Sequence, residues 1–258
     1  MASTVRCIRD AGVAHIVLDR PAQLNAISPE LLRDLEAACA TIEADGDVRA
    51  VALTGAGRAF CAGADLRAVE DVASDPDGWR AFMDLWHRVF DRIERLPPPV
   101  IAGVHGLALA GGLELILVCD LVVADEAARF GDQHANFALV AGGGGSQRLP
   151  RLIGARRAKE LMLLGGWLDA RQARDWGLVN RVVPTGTVEA ATLALARDLA
   201  ERSGAASRTV KLLVDRGLDV DVRTGLALEK RKVAEHMRTD DAAAGLRAFR
   251  ARSRGKES

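Results

Sequence analysis

Tyrosine is missing from this 258-residue chain and cysteine is sparse. Without a phenol, no tyrosine takes part in proton transfer. The four cysteines (Cys7, Cys39, Cys61, Cys119) are scattered and form no CxxC pair. That excludes a disulfide framework or a thiolate zinc site by pattern, and it predicts a reduced, cytoplasmic protein with thiols as small apolar fillers. No apolar stretch approaches the ~18 residues of a membrane span, and no apolar signal core stands at the N-terminus. Excess charge is also lacking, since 35 Lys and Arg balance 35 Asp and Glu, so no nucleic-acid partner held by phosphate neutralisation is expected. His15, His87, His105 and His236 are dispersed, so Asp132-x-His134 gains no third ligand and no metal is expected. The glycine run Gly142–Gly145 lacks the Gly-Lys-Ser/Thr ending of a phosphate loop.

What is present is ample apolar content, 49% of residues, arranged as short buried runs that alternate with helical patterns. Val13–Leu18 reads as a strand. Ser28 and Pro29 then open a helix as N-cap and first helical residue, with Leu31, Leu35, Ala38 and Ile42 at helical spacing. Val48–Leu53 is the next strand. Trp79–Leu96 is helical, with Phe82, Trp86, Val89, Phe90 and Ile93 on one face, and Pro97-Pro98-Pro99 stops it. The tryptophans in such patterns read as core or subunit contacts. Val100–Val104, Leu121–Ala124 and Ala128–Phe130 are further strands, and a helix over Gly111–Val118 lies among them. This order implies an α/β domain. After Ser146 the pattern turns helical near residues 155–164, 170–176, 187–202, 205–217 and 221–238, with Val179–Val183 the only strand.

Two small-residue loops stand out, Phe60-Cys61-Ala62-Gly63-Ala64-Asp65-Leu66 and His105-Gly106-Leu107-Ala108-Leu109-Ala110-Gly111-Gly112-Leu113-Glu114. Each follows a buried strand and leads into a helical pattern. Loops of Gly and Ala let a ligand approach the main chain, and two of them can aim two N–H groups at one oxygen. Taken singly, each loop is explained as well by tight turns, and Glu114 by the preference for a carboxylate at a helix N-terminus.

Further motifs surround these loops: Asp19-Arg20-Pro21 with Leu24-Asn25-Ala26, Leu53-Thr54-Gly55, Cys119-Asp120-Leu121, Ala128-Arg129-Phe130-Gly131 and Gly144-Gly145-Ser146-Gln147-Arg148-Leu149. With them the chain resembles the crotonase superfamily, the enoyl-CoA hydratase/isomerase family, over nearly its whole length. The resemblance implies an α/β spiral of repeated ββα units over residues 1–195, and a C-terminal helical region over 196–258 that builds trimers, often paired into hexamers. It implies an acyl-CoA thioester substrate and a place in fatty acid metabolism. It implies that the glycine run Gly142–Gly145 is a turn before the Gln147-Arg148-Leu149 helix, and it implies no cofactor beyond the coenzyme A of the substrate. The N–H groups of Ala64 and Gly111 would hold the thioester oxygen, and Glu114 would activate water. Leu24, Ala26, Ala62, Asp65, Leu66 and Arg67 would line the coenzyme A path. Phe249 and Arg252 match positions on the family's last helix that help hold coenzyme A phosphates. The basic tail they belong to (Arg247, Arg250, Arg252, Arg254, Lys256) also reads as a solvated terminus.

One departure matters. Hydratases of the family carry a second Glu twenty residues after the first, in a Phe-Gly-x-Pro-Glu context, whereas this chain has Phe130-Gly131-Asp132-Gln133-His134. His134 reads as a working acid or base, as a polar lining residue, or as a structural histidine packed on Phe137. Asp132 or Glu160 offers a substitute carboxylate should the loop be shifted. His105 is expected to bond a turn. The expectation is enoyl-CoA hydration with His134 handling the α-proton. The alternatives are isomerisation, or CoA-ester hydrolysis or cleavage through His134, and, in a different class, a non-catalytic acyl-CoA-binding protein.

Overall fold

The computed structural model describes residues 3–254, with side chains described as far as residue 251. The chain forms two compact units, one ending at Asp198 and one beginning at Leu199.

In the first unit, β2 (Val13–Leu18) and β3 (Ala50–Gly55) are buried at every position. They are therefore continuous apolar runs, as strands covered on both faces require. Their polar members satisfy each other, with His15 Nε2 2.8 Å from Thr54 Oγ1. They belong to a six-stranded sheet of order β1-β2-β3-β4-β6-β9. Here β1 is Val5–Asp10, β4 Val100–Val104, β6 Leu121–Asp125 and β9 Arg181–Val183. The edge strand β1 runs antiparallel to β2, and the remaining pairs are parallel. A smaller sheet joins β5 (Leu107–Leu109), β7 (Arg129–Gly131) and β8 (Leu168–Asp169) in the order β5-β7-β8.

The chain repeats one path between these sheets. It leaves the large sheet at β4, enters the small one at β5 and turns into α4 (Gly111–Ile116). The next turn follows β6 into β7 and a single 3-10 turn, His134–Phe137. Parallel bridges of Cys61 to Ala108 and of Ile27 to Ala64 extend the same stacking to the segments after β3 and β2. The result is a spiral of ββα units, and its loops after successive turns lie side by side.

Helices cover this spiral. α1 (Pro29–Ala44) starts at Ser28, whose Oγ accepts from the Leu31 N–H at 3.3 Å, a cap worth about 1 kcal/mol. α3 (Pro76–Glu94) buries Phe82, Leu85, Trp86, Val89, Phe90 and Ile93, the apolar face predicted for it. Its exposed side is tied to α1 by the pairs Arg88–Glu36 and Arg92–Glu43. The unit also contains α2 (Leu66–Ala73), α5 (Gly145–Ile153), α6 (Ala155–Leu164), α7 (Ala170–Asp175) and all but the last two residues of α8 (Val188–Ala200). The second unit is helical: α9 (Gly204–Leu218), α10 (Val222–His236) and α11 (Asp240–Arg254). Val210, Val214 and Leu218 on α9 and Leu226 and Val233 on α10 are exposed. Among the described residues, no helix is long and apolar enough to cross a membrane.

Three strands went unpredicted. β1 buries only Val5 and so shows no apolar period, and β5 and β8 are too short to carry one. β3 begins two residues later than expected because Ala50 is the first residue to pair with β2. Cys7 corrects the reading of all four thiols as buried fillers, since it lies exposed on the edge strand. Cys39 and Cys61 are buried.

Candidate active site

Successive turns of the spiral set the two small-residue loops and their neighbours in register. The Ala62 N–H donates to the Leu24 carbonyl at 3.0 Å, Ile27 N–H to Gly63 at 2.8 Å, and Asp65 N–H to Ile27 at 2.8 Å. The Cys61 N–H donates to Leu107 and the Leu109 N–H returns to Cys61, both at 3.0 Å. One turn further on, the Ala110 N–H donates to Gly131 at 2.9 Å. Segments far apart in sequence thus form one line: Leu24–Ala26, Ala62–Asp65, Ala110–Gly111, and Gly131 with the residues after it.

Packing between the loops is tight enough to demand small residues. A Cβ on Gly63, whose φ is +110°, would lie 3.1 Å from Ala110 Cβ and 3.6 Å from Gly111 N. Ala110 itself holds φ 46° and ψ −115° as it caps α4, a strained conformation costing about 1–3 kcal/mol of the kind stored at functional loops. Among the described residues, neither the Ala64 nor the Gly111 N–H donates to a protein acceptor. The Gly111 amide is the first of α4, where an N–H has no partner within the helix.

Glu114 follows one turn into α4 and is 2% exposed. Its Oε1 accepts from the Gly145 N–H at 2.8 Å. Burial raises its pKa above the usual carboxylate range. The Gly145 and Gly143 N–H groups and the nearby imidazole of His134 oppose that rise, and Asp132 adds to it. The glycine run therefore does more than turn the chain, which corrects the sequence reading. A Cβ on Gly143 would lie 2.6 Å from Glu114 Oε2, and one on Gly145 would lie 3.0 Å from Oε1. Gly144, with φ +108°, needs the left-handed conformation that glycine adopts freely. Arg148, just beyond, ties α5 to α3 through Asp91 at 2.9 Å and Glu94 at 2.7 Å. Trp86 shares this wall. Its six-membered ring lies against Gly111 and its Nε1 against Gly143, and the buried Nε1 has no acceptor among the described residues. Helical spacing alone marked it as core and gave no sign of this position.

His134 opens the 3-10 turn after β7. Its neighbour Gln133 is anchored, donating from Nε2 to Gly165 and Gly166 at 2.8 and 2.9 Å. His134 Nδ1 lies 3.0 Å from Asp132 Oδ1, and the two side chains are 16% and 2% exposed. The ring N–H is not aligned on that oxygen as a hydrogen bond, so the contact is an ion pair by distance. Burial would lower the His134 pKa, and the Asp132 and Glu114 carboxylates more than reverse this, leaving it raised. Phe137, on the same 3-10 turn, is 73% exposed. Among the described residues, no three His, Cys, Asp or Glu form a cluster able to hold a metal ion.

The other expected site residues separate into groups. Leu24 meets the first loop through the Ala62 contact above, Ala26 lies between the bonded positions Leu24 and Ile27, and Ala62 belongs to the loop itself. The Asp65 side chain is taken internally. It caps α2 through the Arg67 N–H at 3.2 Å and meets Arg20 at 2.8 Å. Burial would raise its pKa, and Arg20 more than offsets that. Leu66 and Arg67 are exposed on the first turn of α2. Phe249 is exposed on α11 in the second unit. The side chain of Arg252, and Lys256 entirely, lie outside the described residues. Glu160 is exposed on α6. His105 Nε2 donates to the Gly57 carbonyl at 3.0 Å, the turn contact expected of it.

Comparison with known proteins adds an independent line. The family model described as enoyl-CoA hydratase/isomerase matches residues 9–256. The short-chain-enoyl-CoA hydratase of Clostridium acetobutylicum is 36% identical over 242 residues, covering 93% of this chain and 92% of that enzyme. The mitochondrial methylglutaconyl-CoA hydratase of Mus musculus is 37% identical over 244 residues, covering 93% of this chain and 77% of that protein. The crystal structure of an enoyl-CoA hydratase from Bacillus anthracis superposes with a TM-score of 0.92 at 37% identity, covering 96% of each chain.

Proposed function

The chain belongs to the enoyl-CoA hydratase/isomerase family, within the crotonase superfamily, and on that premise we propose that it adds water reversibly to 2-enoyl-CoA thioesters. The observation that carries this reading is the pair of spare main-chain donors, Ala64 N–H and Gly111 N–H, on adjacent turns of the spiral beside a buried Glu114. A thioester oxygen between two such donors can accept the charge of an enolate, and each donor of this kind is worth roughly 10²–10³ in rate. Glu114 takes a proton from water as the water oxygen bonds to the β-carbon. The π electrons move to the carbonyl oxygen, and His134 returns a proton to the α-carbon. Raised pKa values at both groups suit these roles, with a base drawn toward neutrality and an imidazolium that keeps its proton.

The scheme needs no cofactor beyond the coenzyme A carried by the substrate. Leu24, Ala26, Ala62, Leu66 and Arg67 line the coenzyme A path in this reading, with Asp65 holding the loop. A homotrimer or dimer of trimers is part of the proposal, supported by the exposed apolar residues of α9 and α10. So is a cytoplasmic setting within fatty acid metabolism, supported by buried thiols at Cys39 and Cys61 whose pKa burial pushes up to about 12.

A steady-state assay with crotonyl-CoA tests the reaction. Rapid loss of the enoyl absorbance is expected, and saturable binding without turnover would sink it. One observation favours a second reading. Gln133-His134 stands where the hydratases resembled here carry Pro-Glu, so a 3-enoyl-CoA offered as substrate tells double-bond isomerisation from hydration.

A further inference from the structure

The most exposed difference between this site and a two-carboxylate one is what stands behind the second acid–base position. His134 Nδ1 faces Asp132 Oδ1 at 3.0 Å, and Asp132 is 2% exposed. Nδ1 and Asp132 Oδ2 are both buried atoms with no hydrogen-bond partner among the described residues. A carboxyl group so enclosed is costly unless an opposite charge faces it, and here the facing group is the imidazole. The ring still keeps 16% of its surface open, while its Nδ1 edge is closed. The open edge is therefore the one carrying Nε2. The chain is held on either side of Asp132, at Gly131 by the Ala110 N–H at 2.9 Å and at Gln133 by the carbonyls of Gly165 and Gly166. The segment lies one spiral turn from Ala110, and the imidazole is close enough to Glu114 for each to act on the other's charge.

From this arrangement we infer that Asp132 is a positioning residue, holding His134 by its Nδ1 edge so that Nε2 is the nitrogen offered to the α-carbon. The inference rests on the proposed role of His134 as α-proton donor. A carboxylate on the far nitrogen does two things. It fixes which ring nitrogen is presented, and it keeps the imidazolium favoured against the desolvation of the pocket. The leading charged groups acting on the ring are Asp132 and Glu114, with no cation among the main contributors. Asp132 thus takes over a task that a second catalytic Glu does not need, because a carboxylic acid donates from either oxygen.

The test compares Asp132→Asn, His134→Gln and the double variant in hydration of crotonyl-CoA. Asp132→Asn is expected to lower kcat about 10²-fold, within the range of general acid catalysis, with KM unchanged. The alkaline limb of its rate profile shifts to lower pH. The double variant is no slower than His134→Gln alone, since the two residues act as one unit. Full activity in His134→Gln would overturn the role of His134 itself. A slow His134→Gln beside an Asp132→Asn that keeps wild-type kcat and pH limb would overturn the inference about Asp132 alone. An NMR titration of the wild-type His134 ring needs no variant at Asp132: titration at or below the ordinary imidazole range would also overturn it.

Discussion

Replacing Gly143 by Ala tests whether the position of the Glu114 carboxylate limits the rate. Gly143 does not have a positive φ, so alanine is free to adopt its main-chain conformation and the perturbation is steric. The added Cβ would lie 2.6 Å from Glu114 Oε2 and 3.0 Å from Cδ. To reach ordinary contact the carboxylate must retreat by about 1 Å. It cannot do so freely, because Oε1 is bonded to the Gly145 N–H at 2.8 Å, and the same Cβ also runs into Trp86 Nε1, so the indole is pressed as well. A misplacement of about 1 Å at a reacting group costs on the order of 10²-fold, equivalent to about 2.7 kcal/mol of barrier. The expected result is therefore a kcat for crotonyl-CoA hydration near one hundredth of wild type, with KM little changed because the residues proposed for the coenzyme A path lie on other segments. Gly142→Ala is the control. Its Cβ would meet only the end of the flexible Met83 side chain, 3.2 Å from Cε, and near-normal kinetics are expected. Wild-type kcat in Gly143→Ala, or equal damage in both variants, would refute the reasoning.

Glu114→Gln is expected to lose hydration by about 10²–10⁴-fold, the range for removal of a general base. The same variant should change stability in the opposite sense. Burial raises the Glu114 pKa in the fold, so its favourable contribution is present below the unfolded pKa and lost as pH rises through the folded one. The Tm of Glu114→Gln relative to wild type should therefore increase from mildly acidic to mildly alkaline buffer, and a constant difference in a thermal-shift series would count against it. The pH profile of kcat/KM should be bell-shaped. Its acid limb lies above the usual carboxylate range from Glu114 and its alkaline limb above the usual imidazole range from His134, the two titrating as a pair; a flat profile across neutrality would contradict these assignments. Gly112→Ala would drive a Cβ into the Cys61 carbonyl, with the carbonyl carbon at 2.8 Å. Main chain against main chain has little room to yield, so a loss of at least about 1–3 kcal/mol is expected. An unchanged Tm would show that the turns of the spiral pack less tightly than described.

Much of the architecture could be read before any coordinates existed, where local chemistry decided it. Ser28 with Pro29 announced the start of α1, and the spacing of Phe82, Trp86, Val89, Phe90 and Ile93 announced the buried face of α3. The strands read as continuous apolar runs because both their faces are covered. β5 and β8 stayed hidden because residues 107–109 and 168–169 become strands only by pairing with β7, across gaps no local pattern spans.

The site divides in the same way. Glycine and alanine at 62–64 and 110–112, the acid at 114 and the histidine at 134 were all legible by residue type, because the need for close main-chain approach and for proton transfer is written in the side chains themselves. Their assembly was not. Only the stacked turns bring Gly63 against Gly111, place Gly145 and Gly143 on the Glu114 carboxylate, turn Trp86 from core filler into a wall of the site, and set Asp132 behind His134. Apart from the Asp132–His134 pair, which the turn at Gln133 sets, those contacts join residues tens of positions apart on neighbouring turns, and a linear string of side chains holds no record of which turns will meet.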